Sequence, residues 1–175
     1  GCTYSTIQAA VDAANPGDIV KVAADVYDDV HQRAGITQVV YISKTVTIRG
    51  GYLAPGFAEP PDPDTNVTIL DAGGRGRVVY ITGGINPTLE GLHLTGGDAT
   101  GLGGGPWSYD GAGGGVYVFT ATATISGCEV YGNLASSVSW NAGGGIYLWH
   151  SPSRLINNEI YNNTASEGAH AFVVG

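Results

Sequence analysis

The chain has 175 residues and a formal net charge of −8, with 29 glycines, no methionine and only 13% charged residues. That length allows one domain with a sizeable core, and a hydrophobic content of 43% excludes a disordered chain. Only 7 residues are Lys or Arg, and no basic cluster or long apolar stretch is present; nucleic-acid binding, binding to an anionic membrane and membrane insertion are therefore not expected, while cations and neutral sugars remain compatible.

The first element reads as a helix. Ser5 and Gln8 match a capping box, Ile7, Ala10, Val11 and Ala14 fall on one helical face, and Asn15-Pro16-Gly17 stops the run. Residues 1–17 are expected to cover the open end of a stack. The remainder, 18–175, reads as short strands broken by Gly, Asn and Asp. A first set is Ile19-Val20-Lys21-Val22, Val39-Val40-Tyr41-Ile42 and Val46-Thr47-Ile48. A second is Val67-Thr68-Ile69-Leu70, Val78-Val79-Tyr80-Ile81 and Leu92-His93-Leu94.

Internal repetition decides the architecture. Gly143-Gly144-Gly145-Ile146-Tyr147-Leu148 copies Gly113-Gly114-Gly115-Val116-Tyr117-Val118, and Asn158-Glu159-Ile160-Tyr161-Asn162-Asn163 copies Cys128-Glu129-Val130-Tyr131-Gly132-Asn133. Leu92-His93-Leu94-Thr95-Gly96-Gly97 and Val46-Thr47-Ile48-Arg49-Gly50-Gly51 fit the same frame, so the intervals shrink from 46 to 36 to 30 residues. One structural unit with loops of varying length explains this. Each unit cannot bury its apolar face alone, so equivalent strands of successive units should pair in parallel about 4.8 Å apart. A hairpin-based sandwich does not require the motif to return at this interval. Asn133 and Asn163, with Gly97 and Gly51 before them, mark one turn position. Cys128 falls in an apolar register and reads as a small core residue. With Cys2 it makes a pair of cysteines compatible with secretion.

Thr6-Ile7-Gln8-Ala9-Ala10-Val11-Asp12-Ala13-Ala14-Asn15-Pro16-Gly17-Asp18 resembles the N-terminal cap of pectin-lyase-like proteins. The Gly-Gly-Gly-Ile-Tyr-Leu and Asn-Asn-x-Ile-Tyr-Asn-Asn units resemble repeats of large bacterial surface proteins, some called polymorphic outer-membrane-protein-like. The resemblance covers essentially the whole chain. It implies an all-β fold: a right-handed parallel β-helix of about four coils with a short N-terminal capping α-helix, secreted or at the cell surface. Family members include polysaccharide lyases and hydrolases as well as adhesin-like proteins, so the fold does not assign chemistry.

No catalytic residue is assigned. His93, Glu129 and Glu159 fall in one outward column and Tyr117 and Tyr147 in another. Stacked carboxylates can serve acid–base chemistry, but the Asn-Thr-Asp, Asp-Asp, Gly-His-Gly and Arg-Ile-Lys motifs of galacturonases are absent. Glu129 and Glu159 are read as a solvated pair. Asp62, Asp64 and Asp71 beside a Pro-rich segment make Ca²⁺ the one cofactor considered, although Ca²⁺ needs six to eight oxygens. His31, His93, His150 and His170 are too scattered for a metal triad, and no metal site is assigned. Asn66-Val67-Thr68 and Asn162-Asn163-Thr164 fit a glycosylation pattern that is accidental in a bacterial chain.

The long loops, Gly96 to Gly113 and Leu134 to Ala142, follow equivalent strands and should emerge from one edge. They carry Asp98, Trp107, Tyr109, Asp110 and Trp140, aromatic faces beside carboxylates that suit a polysaccharide. Another surface protein is the alternative partner. Ala169 to Val174 takes the place of Gly144 to Leu148 one unit on. Residues 1–175 are thus read as one β-helix domain, a C-terminally truncated piece of a longer solenoid, with self-association through the uncovered end.

Overall fold

The computed structural model describes residues 3–104, 110–138 and 140–174. Helix α1 (Ile7–Ala13) is followed by β1 (Ile19–Ala23), β2 (Asp25–Tyr27), β3 (His31–Arg33) and β4 (Ile36–Ile42). Next come β5 (Thr47–Tyr52), β6 (Thr68–Asp71), β7 (Arg77–Thr82), β8 (Thr88–Glu90) and β9 (His93–Thr95). The later strands are β10 (Gly111–Ala112), β11 (Val116–Phe119), β12 (Thr124–Ser126), β13 (Glu129–Tyr131), β14 (Asn141–Ala142), β15 (Ile146–Trp149), β16 (Arg154–Ile156), β17 (Glu159–Tyr161) and β18 (Ala171–Val174).

These strands form three main sheets that the chain visits in a fixed order. The first sheet runs β1-β5-β8-β12-β16, the second β17-β13-β9-β6-β2 and the third β18-β15-β11-β7-β4-β3. All pairings in them are parallel except β3 with β4. The protein is therefore all-β, apart from one short helix, and built of stacked parallel strands. One buried cluster draws Ile48, Leu89 and Ile125 from the first sheet, Leu70, Leu94 and Val130 from the second, and Ile42, Ile81 and Val118 from the third. Cys128 is buried in it, as its register implies. Cys2 lies outside the described residues.

The shared frame of the repeats holds with one correction. His93, Glu129 and Glu159 are register partners in the second sheet, whereas Val46-Thr47-Ile48 leads into β5 of the first sheet, partnered by β1 and β8. The second-sheet strand before β9 is β6. An alternating triplet followed by Gly-Gly describes both places, because local pattern reports a strand ending at a corner and not which sheet it joins. The strands β12 and β16 lie outside the repeats read from the sequence.

The corner after the second sheet is built by asparagines. Asn133 Nδ2 donates to Asn163 Oδ1 at 3.0 Å and to Leu94 O at 3.0 Å, while Gly97 N donates to Asn133 Oδ1 at 2.8 Å. Asn163 Nδ2 repeats the contact one strand on, to Val130 O at 2.8 Å. The left-handed backbone belongs to the preceding residues, Gly96, Gly132 and Asn162. Asn133 and Asn163 themselves serve as an internal ladder.

At the N-terminal end, Thr6 rather than Ser5 caps α1, its Oγ1 accepting from Ala9 N at 3.1 Å. Gln8 is freed for another task. Its Oε1 accepts from Tyr41 N at 2.7 Å and its Nε2 donates to Tyr41 O at 3.2 Å, so a side-chain amide imitates a neighbouring strand on β4. Lys44 Nζ donates to Asp12 O and Ala14 O at the other end of the helix. Ile7 and Val11 are buried in the main cluster. At the opposite end, β16, β17 and β18 are each paired on one side only among the described residues. The register Ile146↔Ala171 and Leu148↔Val173 agrees with the alignment read from the sequence.

Candidate functional site

Two surfaces hold the side chains singled out by the sequence. The first is the loop region beside the third sheet. Gly111-Ala112 pairs in parallel with Asn141-Ala142, and isolated bridges link Asp98 to Leu134 and Leu134 to Thr164. The two loops are therefore stacked on each other like the strands they follow. Trp107 and Tyr109 lie outside the described residues. Asp98, Asp110 and Trp140 lie within them.

Asp98 is a turn residue, its Oδ1 accepting from Thr100 N at 2.8 Å. Asp110 joins both loops: its Oδ2 accepts from Ser136 Oγ and from Gly101 N, its backbone N donates to Trp140 O at 2.9 Å, and its O accepts from Gly103 N. The Ser136 hydroxyl, and then the Gly101 amide, hold its carboxyl below the usual carboxylate range. Trp140 is 68% exposed, with Val138 exposed two residues away. Trp140 thus meets Asp110 through the backbone, while the Asp110 carboxylate is taken up by the buried Ser136 hydroxyl and the Gly101 amide. Thr100 and Ser137 bond each other there.

The same loops overturn one expectation. Tyr117 and Tyr147 stand in an outward column, yet both are buried. With Ala112 and Ala142 they form a second apolar cluster between sheet and loops. The rings make a ladder: Tyr41 to Tyr80 at 5.5 Å, Tyr80 to Tyr117 at 5.1 Å, Tyr117 to Tyr147 at 5.4 Å and Tyr147 to Phe172 at 5.7 Å. Repetition of Val-Val-Tyr-Ile at residues 39–42 and 78–81 is the sequence signal for this ladder.

Arg77 pins the loop to the ladder. It is 1% exposed, donates from Nε to Ala112 O at 2.8 Å and from Nη2 to Gly103 O at 2.6 Å, and lies 4.8 Å from the Tyr117 ring centroid. Burial lowers it to about 10, against the pull of Tyr117 and Tyr80, so it stays charged at neutral pH. Its Nη1 has no hydrogen-bond partner among the described residues. Nothing in the local sequence separates this arginine from a surface one.

The second surface is the outer face of the second sheet. His93 Nε2 lies 3.6 Å from Glu129 Oε1, Tyr161 Oη donates to Glu129 Oε2 at 2.8 Å, and Tyr131 stacks on Tyr161 at 5.2 Å. The bond to Glu129 pushes the Tyr161 phenol up to about 12. Glu129 is thus an acceptor for its neighbours rather than one half of a carboxylate dyad with Glu159. In the Pro-rich region, Asp62 Oδ1 accepts from Thr65 N and Asp71 Oδ1 from Gly73 N, each closing a turn. Among the described residues, no three His, Cys, Asp or Glu side chains converge as a metal site.

Comparison with known proteins returns no match: no family model, no curated protein and no solved structure is significantly similar to this chain.

Proposed function

We propose that the three sheets close into a right-handed parallel β-helix of about four coils, capped by α1, and that the chain is a structural and interaction segment of a secreted or cell-surface bacterial protein, with no catalytic activity. The observation that supports this is where the polar and aromatic side chains are used. Asn133, Asn163 and the tyrosine ladder are spent on holding one strand layer to the next. Among the described residues β16 and β18 are paired on one side only, and Leu155 in β16 is 38% and Val173 in β18 62% exposed, a row that suits pairing with another chain.

Self-association through that edge follows from this reading. A twofold contact is the simplest closed form, because α1 obstructs head-to-tail stacking. Phe172 pairs with Tyr147 and packs on the outer cluster, so the inward row to disrupt is Leu155 and Val173. Sedimentation equilibrium should show a dimer that the double variant Leu155→Glu, Val173→Glu converts to monomer; a monomeric parent at high concentration would overturn self-association. The non-catalytic reading is tested by incubation with polygalacturonate and Ca²⁺. Unsaturated products detected by ultraviolet absorbance would defeat it.

One observation favours a second reading, carbohydrate binding: exposed Trp140 beside Asp110. Glycans should then quench tryptophan fluorescence, and Trp140→Ala should remove the response. A glycan panel that leaves the emission unchanged excludes this reading.

A further inference from the structure

On the outer face of the second sheet, His93 in β9 and Glu129 in β13 are register partners, and each of these two strands has a strand on both sides. Parallel pairing sets their backbones about 4.8 Å apart and turns both side chains to the same face. The imidazole Nε2 and the carboxylate Oε1 end 3.6 Å from each other, both partly exposed. That gap is too long for a hydrogen bond. It has the width of a pair of atoms that share a metal ion. Zn²⁺ lies about 2.0–2.2 Å from an imidazole nitrogen or a carboxylate oxygen, so two such arms at a near-tetrahedral angle hold nitrogen and oxygen about 3.4 Å apart.

Neighbours fix both side chains. The second carboxylate oxygen of Glu129, Oε2, accepts from Tyr161 Oη at 2.8 Å, which leaves Oε1 for His93. Tyr131 meets the imidazole edge-on, at 6.1 Å and 89°. Ile69 is the register partner of His93 on the other side, in β6. A carboxylate hydrogen-bonded through its far oxygen and an imidazole held by its surroundings are arrangements that orient ligands for a metal.

We propose that His93 and Glu129 bind one divalent transition-metal ion of the Zn²⁺ class, with Tyr161 as the residue that positions Glu129. Neutral imidazole offers a nitrogen lone pair, which such ions accept and which Ca²⁺ and Mg²⁺, with their preference for oxygen, do not. Among the described residues no third His, Cys, Asp or Glu joins the two. The ion therefore fills its other positions with water, and these face solvent. A site left open in this way can take a further ligand from outside, unlike a closed structural site. The net charge of −8 favours the approach of a cation.

The probe is Zn²⁺ alone, titrated calorimetrically into the full chain carrying Cys2→Ser, so that the Cys2 thiol does not compete; Cys128 is buried. One ion per chain should bind, and excess Mg²⁺ should not displace it. His93→Gln and Glu129→Gln should each weaken binding by about tenfold or more, and Tyr161→Phe, which keeps the ring and removes the hydroxyl, by about tenfold. The melting temperature should rise with Zn²⁺ concentration in the parent and stay constant in His93→Gln. Anomalous scattering from a zinc-soaked crystal should place the ion between Nε2 and Oε1. Four results overturn the proposal: no binding up to about 1 mM Zn²⁺, equal affinity in His93→Gln, equal affinity in Tyr161→Phe, or displacement by Mg²⁺, which would mark an unspecific acidic surface.

Discussion

On the second sheet, Glu129, Tyr131, Glu159 and Tyr161 stand outward and meet water to varying degrees; on the third, Tyr117 and Tyr147 stand outward by the same alternation and are sealed beneath the loops. Both faces carry stacked tyrosines, at 5.2 Å for Tyr131 and Tyr161 and at 5.4 Å for Tyr117 and Tyr147. Their energetic weight differs. A fully buried aromatic side chain contributes about 1.5–3 kcal/mol from area alone, whereas an exposed cross-strand pair contributes about 0.2–1 kcal/mol. Alternation decides the side of the sheet, and the loop that follows decides whether that side is a surface.

The sharpest way to break this comparison is to truncate one tyrosine from each face. Tyr147→Ala should cost about 4 kcal/mol, from lost burial and the cavity left behind, and Tyr161→Ala less than about 1 kcal/mol. Urea unfolding measures both, and equal losses would show that the loops do not seal the ladder. Next comes Arg77→Met, which keeps bulk but leaves the carbonyls of Ala112 and Gly103 without their donor. A loss of about 3 kcal/mol is expected, with faster hydrogen exchange at Gly111 and Ala112 and none at the second-sheet face. Asn133→Ala removes the corner ladder shared by both regions and should cost about 2 kcal/mol, visible as a lowered urea midpoint with an unchanged slope.

The smallest effect is on the exposed face. Glu129→Gln should change stability by no more than about 0.5 kcal/mol, yet it should return the Tyr161 phenol from about 12 toward its ordinary 10.0. The protonated phenol is the form the fold favours. Its contribution is complete below pH 10, declines as pH rises toward 12 and is reduced in the Gln variant. Ultraviolet titration of the phenolates reads this directly. A parent protein whose tyrosines all ionise near 10 would show that the bond to Glu129 does not form in solution.

Much of the fold was legible because repetition carries long-range information. The pairing of Glu129 with Glu159 followed from copied motifs, and so did that of Leu148 in β15 with Val173 in β18. What stayed hidden depended on partners distant in sequence. Gln8 looks like half of a capping box, since nothing local announces the free edge at Tyr41. Arg77 looks like a surface cation, since the loop that buries it arrives some 26 to 35 residues later. Of the five loop residues, Asp110 and Trp140 meet through the backbone, a contact made by stacking two loops rather than by any motif.

The thirty-residue step has a consequence for how such a chain changes length. Ala123 with Ser153, Cys128 with Asn158 and Asn133 with Asn163 are hydrogen-bonded partners separated by 30 residues each. Excising residues 117–146 would join Val116 to Tyr147 within one continuous strand pattern, next to neighbours of the same kind on either side. The stack would shorten by one strand spacing, about 4.8 Å, with each corner still meeting its matching corner. Height along the stack is thereby counted in the gene as whole marks on a ruler, and an unequal crossover between two marks adds or removes a layer without disturbing the others.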